Sequence, residues 1–145
     1  MTEMDEYFMK QALLQAEMAN DSDEIPVGSV IVVGKTIIAK AHNQTERLKD
    51  PTAHAEMIAI TSAANYLNSK YLNECTIYVT LEPCLMCAGA LFWSQIGRVV
   101  FAATDLKRGF KNYDIPLLHP KTTCDSGILE QPCAHILTEF FQKKR

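Results

Sequence analysis

Apolar residues at Tyr7, Phe8, Ala12, Leu14, Ala16, Met18 and Ala19 recur at helical spacing, so the stretch from about residue 4 to 19 predicts an amphipathic helix lying on the core. A polar break at residues 20–24 follows, and the period then changes. Residues 27–33 and 36–41 are short, mostly β-branched runs on either side of Gly34 and Lys35, which predicts an antiparallel hairpin. Pro26 fits the entrance to its first strand, where a missing N–H costs least. Residues 43–50 are polar and aperiodic and read as a loop.

Pro51 and Thr52 open a second helical pattern, which runs through Ala53, Ala55, Ile58, Ala59 and Ala63 to about Tyr66. Its alanine content predicts a helix buried against a sheet, and proline is tolerated in a first turn whose N–H groups have no intrahelical partner. Residues 75–80 and 98–103 read as strands, 84–95 as a helix between them, 122–125 as a short last strand and 130–142 as a last helix. The connection at 104–121 has no clear period, and structureless connections of more than about 12 residues often carry function. A hairpin implies antiparallel pairing and a strand-helix-strand crossover implies parallel pairing. The expectation is an α/β fold, a mixed five-stranded sheet flanked by helices.

The 145 residues suit a single domain spanning 1–145, and 48% apolar with 21% charged residues exclude the disordered and fibrous classes. A formal net charge of −3 gives no global attraction for nucleic acid, so a polyanion would have to be met locally. Lys107, Arg108 and Lys111, Arg47 with Lys49, and Lys143 to Arg145 are the clusters available, and a solvated face is the plain alternative for each taken alone. No apolar run reaches the ~20 residues needed to span a bilayer, so no membrane role is indicated. The acidic start lacks an apolar signal segment, and five cysteines that include a CxxC pair suit a reducing, cytoplasmic setting.

Two separated segments carry chemistry, His54-Ala55-Glu56 and Pro83-Cys84-Leu85-Met86-Cys87, each opening a predicted helix. One imidazole and two thiolates are donors that zinc accepts, and three protein ligands leave a fourth tetrahedral position for a water whose pKa the metal lowers toward about 7. Helix starts favour thiolate over thiol. Glu56 is out of place on a buried alanine-rich face unless it is paired or working, and beside a metal it can carry a proton. Residues two apart normally diverge around a helix, so Glu56 borders the same cavity only if His54 sits in the first turn. A lone CxxC also occurs in redox motifs, but a thioredoxin-like role leaves Glu56 unexplained. A structural zinc would want a fourth ligand, and His42, His119, His135, Cys75, Cys124 and Cys133 have no paired spacing to supply one. Cys75 and Cys133 read as small buried hydrophobes.

These two segments resemble the H-x-E and P-C-x-x-C arrangement of the cytidine and deoxycytidylate deaminase superfamily. The longer strings are most similar to the bacterial tRNA adenosine deaminases: Pro26-Val27-Gly28, Asn43, the run from Asp50 to Glu56, Tyr78 to Cys84, Met86 to Ala90 and Ile96 to Phe101. The resemblance implies a three-layer fold, a zinc cofactor on His54, Cys84 and Cys87, Glu56 as proton carrier, and conversion of adenosine to inosine at a tRNA wobble position by a homodimer. It further implies that Asn43 bonds the base, that Val27 and Ala53 line the pocket, and that Phe140, Phe141 and the basic tail meet the anticodon stem-loop. Lys107, Arg108 and Lys111 would contact phosphates. Phe110 and Tyr113 stand where the tRNA enzymes carry small residues; they would either stack on bases or narrow the opening, which keeps open a free base or nucleoside substrate such as guanine, cytosine or a cytidine-like compound. A noncatalytic RNA-binding module with a stabilising zinc is a third reading, against which Glu56 and the missing fourth ligand argue.

Overall fold

β1 (Gly28–Val33) and β2 (Thr36–His42) form the expected antiparallel hairpin, with Gly28 opposite His42 and a register shift between Ile31 and Val32. The computed structural model describes residues 3–144. β1 also pairs antiparallel with β3 (Cys75–Leu81); β4 (Arg98–Ala103) lies parallel to β3, and β5 (Thr123–Ser126) parallel to β4. The sheet order is β2-β1-β3-β4-β5, mixed and five-stranded as expected.

Helices α1 (Glu3–Asp21) and α5 (Glu130–Lys143) cover one face. There Phe8, Met9, Ala12 and Cys133 pack with Val30, Val32, Tyr78 and Val100. On the other face α3 (Ala55–Leu67) and α4 (Leu85–Ser94) bury Ala59, Ala63 and Leu91 against Ile31, Ile77 and Val99. Each large aliphatic chain in these layers contributes about 1.5–3 kcal/mol relative to exposure.

Of the apolar positions on α1, Phe8, Ala12, Ala16 and Ala19 face the sheet, whereas Tyr7, Leu14 and Met18 are half exposed. The reason is how closely helix and strand approach. A Cβ on Gly28 would lie 2.1 Å from the Ala12 carbonyl oxygen and 2.4 Å from the Ala16 nitrogen, so only the small-residue stripe fits against β1. At the start of the same helix the buried Asp5 accepts a 2.6 Å hydrogen bond from the Tyr78 hydroxyl and two from Arg98, at 2.8 and 3.1 Å. Arg98 Nε also donates to Asp125, which ties α1, β3, β4 and β5 together.

The structure corrects the sequence at two places beside the site. Residues 43–50 contain a short helix, α2 (Thr45–Leu48). Its start is satisfied from outside: the buried Glu24 carboxylate accepts the N–H groups of Glu46 and Arg47 at 3.0 and 2.8 Å, a cap more than twenty residues away along the chain. And α3 begins at Ala55 rather than Pro51, because Asp50 takes the Thr52 N–H and hydroxyl into a turn and His54 stays extended at φ −74°, ψ 154°. Among the described residues no helix is long and apolar enough to cross a membrane.

Candidate active site

The sheet directions bring the termini of six elements to one end. β3 and β4 finish there, β2 finishes there opposite the start of β1, and α3 and α4 begin there. His54 and Cys84 are each the last extended residue before a helix, at φ/ψ of −74°/154° and −75°/176°. Cys87 is in the first turn of α4. Because His54 precedes the helix, the divergence of residues two apart does not apply, and Glu56 faces the same cavity as His54.

His54 Nδ1 lies 3.7 Å from Cys84 Sγ and 3.4 Å from Cys87 Sγ. Tetrahedral zinc with the usual Zn–N and Zn–S lengths would set that edge at about 3.6 Å. His54, Cys84 and Cys87 are the metal-capable group of three found among the described residues, all their donor atoms lying within 4.8 Å of one another. The residues present therefore fit zinc in spacing as well as in type. Before any metal binds, one of the two thiols is already favoured as thiolate and the other is not. Hydrogen bonds from Cys87 and then His54 hold the Cys84 thiol down to about 4, the bond with Cys84 raises His54, and Cys87 retains the proton because of its bond to Cys84 and its burial. Burial pushes the Glu56 carboxyl up to about 7, where a group accepts and returns a proton with nearly equal ease.

Above this cluster opens a cavity of about 660 Å³, within the range of small-ligand pockets. Val27 and Asn43 are on its wall; Lys107, Arg108, Phe141 and Lys144 also line it. Asn43 Oδ1 accepts the Ala55 N–H at 2.8 Å, so the amide orientation is fixed by a donor that needs an oxygen, and Nδ2 remains as a donor.

Other expected residues are elsewhere. Ala53 is buried with its carbonyl accepting the Gln44 N–H and does not line the cavity. Phe110 is also buried, its ring edge-on to Phe101 with centroids 6.0 Å apart, so it is core and not a stacking platform. Phe140 is buried beside its exposed neighbour Phe141, which alone of the pair reaches the cavity. Tyr113 is half exposed in an adjoining groove with Leu85 and Met86. Lys111 Nζ sits over the Phe101 ring at 5.4 Å, and Arg145 lies outside the described residues. Sequence reasoning missed Ile25, Leu81, Glu82, Asp105 and Leu137 on the cavity wall. Of these Glu82 left a signal, an acid at the exit of an apolar strand next to a metal ligand.

The family model of the cytidine and deoxycytidylate deaminase zinc-binding region matches residues 2–103, most of the chain, including His54, Cys84 and Cys87 and also Glu56. The chain belongs to this deaminase family. Within the family it is 49% identical to the tRNA-specific adenosine deaminase of Aquifex aeolicus, over 97% of this chain and 95% of that one. A solved structure from studies of A-to-I editing by tRNA:A34 deaminases at the wobble position superposes with a TM-score of 0.85 and 38% identity, covering 90% of this chain and 99% of that one. The guanine deaminase of Bacillus subtilis superposes with a TM-score of 0.66 and 39% identity over 72% of this chain and 66% of its own. The zinc cofactor read from the sequence thus has a matching donor set and a matching family.

Proposed function

We propose that this protein hydrolytically deaminates adenosine to inosine at the wobble position of a tRNA anticodon. The observation that carries the proposal is the pairing of His54, Cys84 and Glu56 in the cavity wall, with Cys87 beside them, and Lys107 and Arg108 on the same lining. A splayed loop base brings its phosphates with it, and these cations suit an anionic backbone better than a neutral free base. The similarity to tRNA adenosine deaminases over nearly the whole chain supports the same choice.

Zinc held by His54, Cys84 and Cys87 would acidify water so that a nucleophile exists at neutral pH. Glu56 takes one proton from water and delivers it to the purine ring nitrogen as the water oxygen bonds to the amine-bearing carbon, then takes the second proton from that oxygen and gives it to the amine, whose C–N bond breaks to release ammonia. Asn43 Nδ2 donates to the base while its oxygen is held by α3. Val27 packs against the base in the wall, Phe141 meets the neighbouring nucleotide, and Lys107 and Arg108 contact phosphate. Incubation with tRNA and, separately, with guanine, cytosine, adenosine and cytidine tests the proposal. Inosine in the tRNA is expected; ammonia from a free base without inosine in tRNA would replace it with the small-molecule reading that the guanine deaminase likeness favours.

The proposal includes a homodimer. Leu85, Trp93, Leu106 and Ile115 are exposed, Trp93 by 77%, and Leu85, Gly89 and Trp93 follow one another along one face of α4. An apolar face of this kind supports association. Sedimentation should find a dimer that Trp93→Glu dissociates; a wild-type monomer at micromolar concentration would reject it. A cytoplasmic location goes with a tRNA substrate and with ligand thiols kept reduced, and cell fractionation checks it.

A further inference from the structure

Glu82 is buried at the exit of β3, and its carboxylate lies in no ion pair among the described residues. Its two oxygens instead meet the two ends of one loop. Oε1 accepts the Asp105 N–H at 3.0 Å and Oε2 accepts the Lys111 N–H at 2.9 Å. Between these ends the chain turns tightly. The Asp105 side chain accepts the N–H groups of Lys107 and Arg108, each at 3.0 Å, and the Asp105 carbonyl accepts the Gly109 N–H at 3.0 Å. Gly109 passes directly over the carboxylate: a Cβ there would fall 2.2–2.5 Å from the three carboxyl atoms of Glu82. The loop has a second anchor where Phe110 N–H donates to the Pro83 carbonyl at 2.9 Å and its ring enters the core.

We propose that Glu82 is a positioning residue for the substrate: by gripping residues 105 and 111 it fixes the intervening turn, and thereby presents Lys107 and Arg108 to the phosphates beside the reacting base. The role follows from how a carboxylate is satisfied. With both oxygens committed to backbone N–H groups, Glu82 is an anion held in a cup of amides and not a proton carrier, even though it borders the same cavity as Glu56. The metal ligand Cys84 is two residues on, so one short segment sets both the donor cluster and the cations.

This inference rests on the proposed RNA substrate, and its test separates the two. Glu82→Gln keeps size but turns an amide NH₂ toward one backbone N–H, which releases one end of the loop. Hydrogen exchange of the Asp105 and Lys111 amides should speed up in the variant, a readout that needs no substrate. With an anticodon stem-loop RNA carrying adenosine at the wobble position, the variant should keep its zinc content, raise KM roughly tenfold, and flatten the dependence of KM on salt by about one unit of slope. Adding Lys107→Ala and Arg108→Ala to the variant should cost much less than in the parent. Gly109→Ala, which pushes the loop off the same carboxylate without changing charge, should reproduce the phenotype and covers the case in which Glu82→Gln does not fold. Unchanged exchange, a fall in kcat at constant KM and salt slope, or full additivity with the cation variants would overturn the proposal. If the parent makes no inosine in any RNA while exchange responds as expected, the substrate reading fails and the loop anchor stands.

Discussion

Replacing Asn43 by alanine and, separately, by aspartate should pull apart two jobs done by one buried amide. The Asn43 oxygen accepts the N–H of Ala55, the first residue of α3, at 2.8 Å, and His54, which occupies the cap position, makes no side-chain cap bond itself. Asn43 is therefore the cap, supplied from another segment. In Asn43→Ala that N–H is left buried without an acceptor, a loss of about 1–3 kcal/mol, comparable with the ~1 kcal/mol of local caps. Asn43→Asp keeps the acceptor and places a negative charge at a helix start, which offsets part of its desolvation, so its stability should stay within about 1 kcal/mol of the parent. Substrate binding should show the reverse pattern for aspartate. Nδ2 is replaced by an acceptor facing an acceptor, and leaving one buried polar group of the base unpaired corresponds to roughly a 10- to 100-fold fall in kcat/KM. Urea unfolding gives the first quantity and inosine formation in an anticodon stem-loop the second. An aspartate variant with parental kcat/KM would refute the donor role, and an alanine variant with an unshifted urea midpoint would refute the cap.

Glu56→Gln should fold and bind zinc while turnover drops by about 10²–10⁴, and a drop of less than tenfold would remove Glu56 from the proton path. Asp5→Ala breaks a buried pair that also holds Tyr78, so denaturant titration should show a loss of about 3 kcal/mol; under ~1 kcal/mol the network is ornamental. After chelation at neutral pH, alkylation mapped by mass spectrometry should label Cys84 and spare Cys133, which is fully buried with its thiol pushed up to about 12; zinc should protect Cys84, and early labelling of Cys133 would contradict the structure. Burial lowers the pKa of His42 below its ordinary 6.5, so the unfolded chain binds the proton more readily: stability is intact above pH 6.5 and is lost as pH falls from there through the lowered folded-state pKa. His42→Gln should flatten that acid limb of the stability profile, and an unchanged slope would place the titrating group elsewhere.

The parts of this molecule legible in the sequence are those decided by nearest neighbours along the chain. The β-branched runs on either side of Gly34, the alanine stripe of α1 and the paired ligands on two helix starts each carry their reason within a few residues. What was not legible was decided across the fold. No periodicity could show α2, because its cap is Glu24. Phe110 read as a stacking aromatic since nothing local to it reveals that Phe101 waits beneath. Tyr7, Leu14 and Met18 read as core because a helical period does not say which of two apolar stripes the sheet will accept; Gly28, on another element, makes that choice.

The same distinction isolates Glu56. Four acids are buried among the described residues, and burying a carboxylate is unfavourable unless its charge is met. Asp5 is met by Arg98 and Tyr78, Glu24 by two amides of α2, Glu82 by two amides of the loop that follows β4. Each of those three joins elements far apart in the chain, and each explains its own presence structurally. Glu56 has a different kind of partner: besides its own N–H it meets the Cys87 thiol, itself one of the donor set, and burial drives its carboxyl up to about 7. An acid held in that condition lowers stability, and its bond to α4 ends on the donor set itself. The proton transfer proposed at the cavity accounts for its position.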